Sequence, residues 1–114
     1  MEKAMDLLKE MKEYKPRLHD AIPEVMTAMG SLTQETYKDG ALSRQTKELI
    51  ALAIALCQRC DTCIVFHIMN ALQAGATKKQ IMETVGIAIQ RCGAPSMVQG
   101  VKVIKYLDEL TAGK

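Results

Sequence analysis

The sequence predicts an all-α fold, a bundle of about six helices, on three observations. Although 48% of the 114 residues are hydrophobic, they include one Phe, three Tyr and no Trp, so the core must be built from aliphatic residues and Met. Such a composition favours helices. Apolar residues also recur at helical spacing, and no stretch alternates between apolar and polar residues as a strand would. A chain of this length forms one domain, which we place over residues 1–114.

A proline separates the first two helical segments. Apolar residues repeat at helical spacing over residues 5–11, and we expect this first helix to be interrupted at residues 14–16, which end in Pro16. A second helical pattern runs over residues 18–32. Pro23 suits that helix only if it lies in a first turn.

The third and fourth helices flank the most unusual part of the sequence. The segment "KDGALS" is typical of a turn and places Ser43 where it caps a helix that starts near Arg44. This third helix carries the apolar run "LIALAIALC", which is about half the length needed to cross a bilayer and therefore indicates a buried core helix. A fourth helix is expected from Asp61 to Gly75, since glycine suits the position after a helix C-terminus.

The last two helices have clear start signals. Thr77 and Gln80 have the spacing of a capping box for a fifth helix that ends near Arg91. The segment "CGAP" then breaks the chain. Residues 97–110 are expected to form the sixth helix.

Charge and composition exclude several functions. The net charge of +2 comes from interspersed acids and bases, with no basic run and no aromatic platform, so no nucleic-acid partner is expected. The N-terminal stretch "MEKAMDLLKEMKEYK" lacks the pattern of a signal peptide, and no membrane association is expected. The predicted location is the cytoplasm. Because cysteines stay reduced there, a scaffold of structural disulfides is disfavoured for the four cysteines of this chain.

The stretch "CQRCDTCIVFH" carries the candidate chemistry. On a helix, Cys60, Cys63 and His67 fall within a narrow arc of one face. If Asp61 or Cys60 is the N-cap, both sulfurs lie in the field of the helix N-terminus, which stabilises a thiolate. His67, one turn beyond Cys63, can accept its proton. This pattern suits reversible disulfide exchange.

Metal binding and simple packing are the alternatives for these residues. Cys57, Cys60 and Cys63 match part of a ferredoxin cysteine run, with His67 at the place of the fourth cysteine. That run wraps its cluster in irregular backbone, whereas this one is flanked by helical sequence, so no metal and no cofactor is expected. Cys57 and Cys92 are interpreted as small buried residues. The eight methionines are interpreted as core filler or as an interface between subunits.

Residues 40–88, "GALSRQTKELIALAIALCQRCDTCIVFHIMNALQAGATKKQIMETVGIA", resemble the core of the carboxymuconolactone decarboxylase and alkylhydroperoxidase D superfamily. The matching pieces are a Glu in "KEL", then C-x-x-C-x-x-x-H, then A-x-x-A-G-A-T, then an I-x-E helix, in that order. The resemblance implies an alkylhydroperoxidase D-like helical bundle that assembles into a homotrimer or homohexamer. Surplus apolar helix faces also favour a homo-oligomer.

The resemblance also implies an activity, that of a thiol-dependent peroxidase or disulfide reductase. Cys60 and Cys63 would be the redox pair, His67 the proton-relay histidine, and Glu48 the carboxylate that feeds the relay. Position in the helix alone would instead leave Glu48 exposed to water. The implied partners are a hydroperoxide substrate and a dithiol electron donor, with a peroxiredoxin as one candidate. One departure is Thr62, where some peroxidase members carry a histidine, which predicts a shorter or slower relay.

Two other functions stay open. One is a γ-carboxymuconolactone decarboxylase-type activity, although that branch generally lacks the cysteine pair. The other is a non-catalytic thiol carrier or sensor. Within the pair, we expect Cys63 to attack, because His67 is nearer to it and because an Asp61 cap would oppose ionisation of Cys60.

Overall fold

Six helices and no strand make up the described part of the chain, residues 2–112 of the computed structural model. This confirms the all-α prediction. The helices, in order, are α1 (Ala4–Ala21), α2 (Pro23–Thr36), α3 (Arg44–Gln58), α4 (Asp61–Gln73), α5 (Lys78–Cys92) and α6 (Ala94–Thr111).

The first helix does not break where the sequence predicted. α1 continues through Pro16, which lies inside it, and the predicted interruption at residues 14–16 is wrong. Pro16 removes one backbone donor from an exposed half of the helix, where water can hydrate the freed carbonyl. The break falls instead at Ile22, with φ −138° and ψ 64°, because a residue that precedes proline is disfavoured in the helical region.

α2 packs against the rest of the chain on one side only. It starts at Pro23, in the first turn as expected, but later than the predicted residue 18. None of its residues is buried, and among the helices it packs only against α1. A heptad-spaced row of apolar side chains is left exposed along it. We call this row the α2 seam; it consists of Ile22, Val25, Met29 and Leu32.

The core lies between α3, α4, α5 and α6, with the start of α1 against it. α3 packs on both α4 and α5, and the apolar run predicted to be buried supplies Leu52, Ala55 and Leu56. α6 approaches α5 closely at Gly100, where an added Cβ would lie 2.8 Å from Val85. Among residues 2–112, no helix combines the length and apolarity that crossing a membrane requires.

The predicted helix ends agree with the structure at several points. Ser43 accepts a hydrogen bond from the Thr46 N–H at 3.1 Å, and the Thr77–Gln80 capping box has both of its bonds. Gly75 has φ 93°, a left-handed value that glycine adopts without strain. The sixth helix starts at residue 94 rather than 97, because Pro95 is accommodated in its first turn.

Candidate redox site

A two-residue corner joins α3 to α4 and sets the position of the first site cysteine. The Arg59 N–H donates to the Leu56 carbonyl and the Cys60 N–H to the Ala55 carbonyl, both at 3.2 Å, a pattern that closes helix C-termini. Arg59 takes the left-handed conformation, φ 57°, which costs a residue with a Cβ about 1 kcal/mol. Cys60 is thereby held at the N-cap of α4.

Cys60 and Cys63 form a disulfide at the start of α4. Cys60 is the N-cap, and its Sγ accepts a hydrogen bond from the Cys63 N–H at 3.3 Å. Of the two residues predicted as the N-cap, Cys60 is therefore confirmed and Asp61 is wrong. The Cys63 N–H, free at this helix end, points to the Cys60 sulfur. Both cysteines are partly exposed.

Asp61 has another role beside the disulfide. It is the first residue of α4, and its carboxylate forms an ion pair with Lys102 of α6 at 3.0 Å. Since a neighbouring cation offsets a carboxylate, the opposition of Asp61 to a thiolate on Cys60 is weaker than the sequence suggested.

His67 and Glu48 form the second pair of the site. His67 Nδ1 lies 3.2 Å from Glu48 Oε2. A carboxylate accepts, so Nδ1 carries the proton and Nε2 is left to exchange one. The expectation from helix position that Glu48 is exposed is wrong: it is 2% exposed, because its position on α3 faces the closely packed α4.

Tyr37 was missed by sequence reasoning and adjoins this pair. Its ring centroid lies 6.0 Å from that of His67. Burial, and next the charge of Glu48, raise the pKa of Tyr37, which keeps the phenol protonated at neutral pH. Tyr37 also lines a cavity of about 700 Å³ with Glu48 and Asn70. No sequence signal identifies it, since it stands between α2 and a turn.

A second disulfide joins Cys57, in the last turn of α3, to Cys92, the last residue of α5. The prediction that structural disulfides are disfavoured is wrong here, as is the interpretation of these cysteines as small buried residues, since Cys92 is exposed. The reason is tertiary: packing of α3 on α5 brings the two Cα atoms to 5.7 Å, within the range a disulfide spans. The loop it closes spans 35 residues.

A metal site in a protein groups several ligand side chains so that they hold the ion together. Within residues 2–112, no group of three or more His, Cys, Asp and Glu side chains is arranged to do so. All four cysteines are in disulfides.

Several known proteins have sequences or structures related to this chain. The model of the carboxymuconolactone decarboxylase family matches residues 23–106. An uncharacterized protein from Cupriavidus necator is 37% identical over 95 residues, 83% of this chain and 84% of that protein. A carboxymuconolactone decarboxylase family protein from Legionella pneumophila, in its apo form, superposes with a TM-score of 0.90 at 33% identity, over 95% of this chain and 96% of that one.

A further structural neighbour comes from Thermotoga maritima. It superposes with a TM-score of 0.70 at 30% identity, over 75% of this chain and 88% of that one. It is described as a carboxymuconolactone decarboxylase family protein, and an involvement in the antioxidative response has been suggested for it.

Proposed function

This chain belongs to the carboxymuconolactone decarboxylase family, and from that premise we propose that it is a thiol-dependent peroxidase of the alkylhydroperoxidase D type. The observation that carries the proposal is the Cys60–Cys63 disulfide at the N-terminus of α4, on the same helix as His67, which pairs with Glu48 of α3. The antioxidative role suggested for the Thermotoga maritima neighbour supports it.

The proposed reaction has three steps. The Cys63 thiolate attacks a hydroperoxide, the O–O bond breaks, and an alcohol leaves with a proton while Cys63 becomes a sulfenic acid. Cys60 then attacks the Cys63 sulfur, water leaves, and the disulfide forms. A dithiol donor finally reduces the disulfide by two electrons and is itself oxidised.

The helix end supports these roles for the two sulfurs. When the dithiol attacks Cys63, Cys60 must leave as a thiolate, and a more stable thiolate leaves faster. The hydrogen bond that the Cys63 N–H donates to Cys60 Sγ provides that stabilisation. His67 is four residues beyond Cys63, one helical turn, and we assign its Nε2 to take the proton from Cys63 and return it to the leaving oxygen.

Glu48 is assigned to hold His67 in this tautomer. The carboxylate accepts from Nδ1 and stabilises the imidazolium that forms when Nε2 takes a proton. Because Glu48 is buried, solvent screens this interaction little.

Single-cysteine variants test the order of attack. Cys60→Ser protein, treated with one equivalent of hydroperoxide, should accumulate a sulfenic acid that dimedone traps. Cys63→Ser should give no adduct at this helix and lose peroxide reduction. The reverse pattern would assign attack to Cys60. In both variants the Cys57–Cys92 disulfide is first verified by intact mass, so that its sulfurs do not contribute an adduct.

Turnover itself is measured with metal-free protein, a dithiol donor and several organic hydroperoxides. Steady consumption of peroxide supports the peroxidase. A single turnover without steady consumption would instead identify a thiol carrier or sensor, and consumption of a carboxylated lactone would identify a decarboxylase.

The α2 seam supports a homo-oligomer, which we propose as a trimer or hexamer. Its apolar side chains recur in the heptad pattern by which helices pack on each other, and three of them, Val25, Met29 and Leu32, are about 60% exposed. Val25→Lys with Met29→Lys should shift sedimentation to smaller species. Thr27→Lys with Gln34→Lys adds equal charge to α2 off the seam and serves as control. A monomeric parent protein at micromolar concentration would contradict the proposal.

The cytoplasm remains the proposed compartment. A disulfide that persists there must resist the thiol pool. Acid quenching of cells followed by differential alkylation would report which of the four cysteines are oxidised in place.

A further inference from the structure

A second cavity lies away from the residues assigned to peroxide reduction. α1, α2 and α4 enclose a groove of about 500 Å³, within the roughly 300–1,000 Å³ of small-molecule sites. Its walls are apolar and partly buried; they are formed by Leu8, Met11, Met26, Phe66 and Met69. Methionine side chains adapt to ligands of irregular shape.

Two lysines and one histidine of α1 also line this groove. Lys12, Lys15 and His19 line it, and all three are exposed. Their spacing of three and four residues puts them on one stripe of α1. The groove therefore pairs an apolar floor with a cationic rim.

The acidic residues of the same helix face elsewhere. At 100° per residue, the four acids of α1 lie roughly 80° or more from every member of the cationic stripe. These acids are Asp6, Glu10, Glu13 and Asp20. On α2, Glu24 lies roughly 160° around the helix from the groove residue Met26. No acidic residue of α1 therefore lies within the cationic stripe.

We propose that this groove binds a single-chain amphiphile with an anionic head, a fatty-acid-type carboxylate. The chain would lie on the Met and Phe floor, and the carboxylate would pair with the lysines of the rim. From Leu8 to His19 the groove follows α1 for about 16 Å at 1.5 Å per residue, comparable to an extended dodecanoate. The α2 seam consists of side chains other than the groove residue Met26. The site is independent of the proposed peroxidase activity.

Titration calorimetry of dodecanoate into the full, oxidised protein tests the site directly. We expect saturable binding below the micellar concentration, weaker binding as salt rises, and much weaker binding of the neutral dodecanol. Lys12→Gln with Lys15→Gln should weaken dodecanoate binding by about three- to tenfold. Lys9→Gln with Arg17→Gln removes the same charge from α1 outside the groove and should leave binding unchanged.

A variant of the floor separates the groove from a general surface effect. Met26→Glu places a carboxylate among the apolar walls, on a helix with no buried residue, so the fold should persist and dodecanoate binding should be lost. Circular dichroism verifies the fold.

Four results would overturn the proposal. The first two are no saturable binding of dodecanoate, and equal effects of the Lys12/Lys15 and Lys9/Arg17 variants. The third is dissociation of the oligomer by dodecanoate, which would assign the groove to a subunit interface. The fourth is binding of the protein to anionic vesicles without binding of free dodecanoate. Loss of peroxidase activity in the cysteine variants bears on none of them.

Discussion

Replacing Cys57 and Cys92 by alanine removes a cross-link that closes a 35-residue loop, which includes all of α4 and most of α5. In the chain-entropy model, the cross-link restricts the unfolded chain, and for a loop of this length its loss costs about 4 kcal/mol. Small domains are stable by about 5–15 kcal/mol, so this is a large part of the total. We expect the midpoint of thermal unfolding to fall by roughly 10–20 °C.

The matched control is the other disulfide. Cys60 and Cys63 are three residues apart, and the same model gives a loss of about 2 kcal/mol for Cys60→Ala with Cys63→Ala. Both double variants are unfolded with guanidinium chloride under non-reducing conditions, and the free energies are compared with that of the parent. The cysteine-to-alanine changes are the same in kind, so the difference of about 2 kcal/mol reports loop length.

Equal losses for the two pairs would refute the reasoning, as would a loss below 1 kcal/mol for Cys57 and Cys92. Either result would mean that the unfolded chain is already restricted in this region or that the long cross-link does not form. Intact mass before and after alkylation distinguishes these two explanations.

Three other perturbations test the site and the core. Glu48→Gln should slow peroxide reduction by about tenfold or more and alter its pH profile, because His67 loses the charge that stabilises its protonated form, while helix content by circular dichroism stays the same; unchanged rates across pH would contradict the relay. Burial, and next the charges of nearby carboxylates, raise the pKa of Tyr106 to about 12 from an unfolded value near 10. The folded state therefore favours the neutral phenol. This contribution to the free energy of unfolding is fully present below pH 10, and about 3 kcal/mol of it is lost as pH rises through 12. Tyr106→Phe should flatten that loss without destabilising at pH 7, since the buried hydroxyl has no hydrogen-bond partner among residues 2–112; an unchanged alkaline slope would refute this. Gly100→Ala should lower the free energy of unfolding by about 1–3 kcal/mol, because the added Cβ would crowd Val85 of α5. Gly86→Ala, whose added Cβ meets no atom within 4 Å, should be neutral or stabilising. Urea unfolding measures both, and equal effects would contradict the close packing at Gly100.

Helices and their ends could be predicted where the signals are local. Ser43 at the start of α3 and the Thr77–Gln80 pair at the start of α5 act within one turn, and both are where the sequence placed them. Pro16 and Pro23 show the limit of such signals. Both prolines stand in helical sequence, yet α1 continues through Pro16 and the chain breaks before Pro23, so the local restriction on a residue before proline does not by itself separate the two cases.

The site could be predicted only in part, for a related reason. The motif identified Cys60, Cys63 and His67 because they share one helix. Burial of Glu48 depends on the packing of α3 on α4, and its partner His67 is 19 residues away. The resemblance to a family, not its helix position, identified Glu48 as a candidate. Tyr37 reaches the site through the packing of separate helices, and single-sequence patterns carry no information about that contact.

The long disulfide also has a consequence for how the protein is made. Cys60 and Cys63 are close enough along the chain to pair before any tertiary structure exists, whereas Cys57 and Cys92 meet only after α5 has been synthesised and has docked on α3. Helices form and pack far faster than disulfides do. The long cross-link therefore forms after folding and does not direct it. A newly made, reduced chain reaches the native packing first and gains this covalent bond afterwards. Until that oxidation, the folded chain lacks the stability that the cross-link adds, and it is then most susceptible to proteolysis.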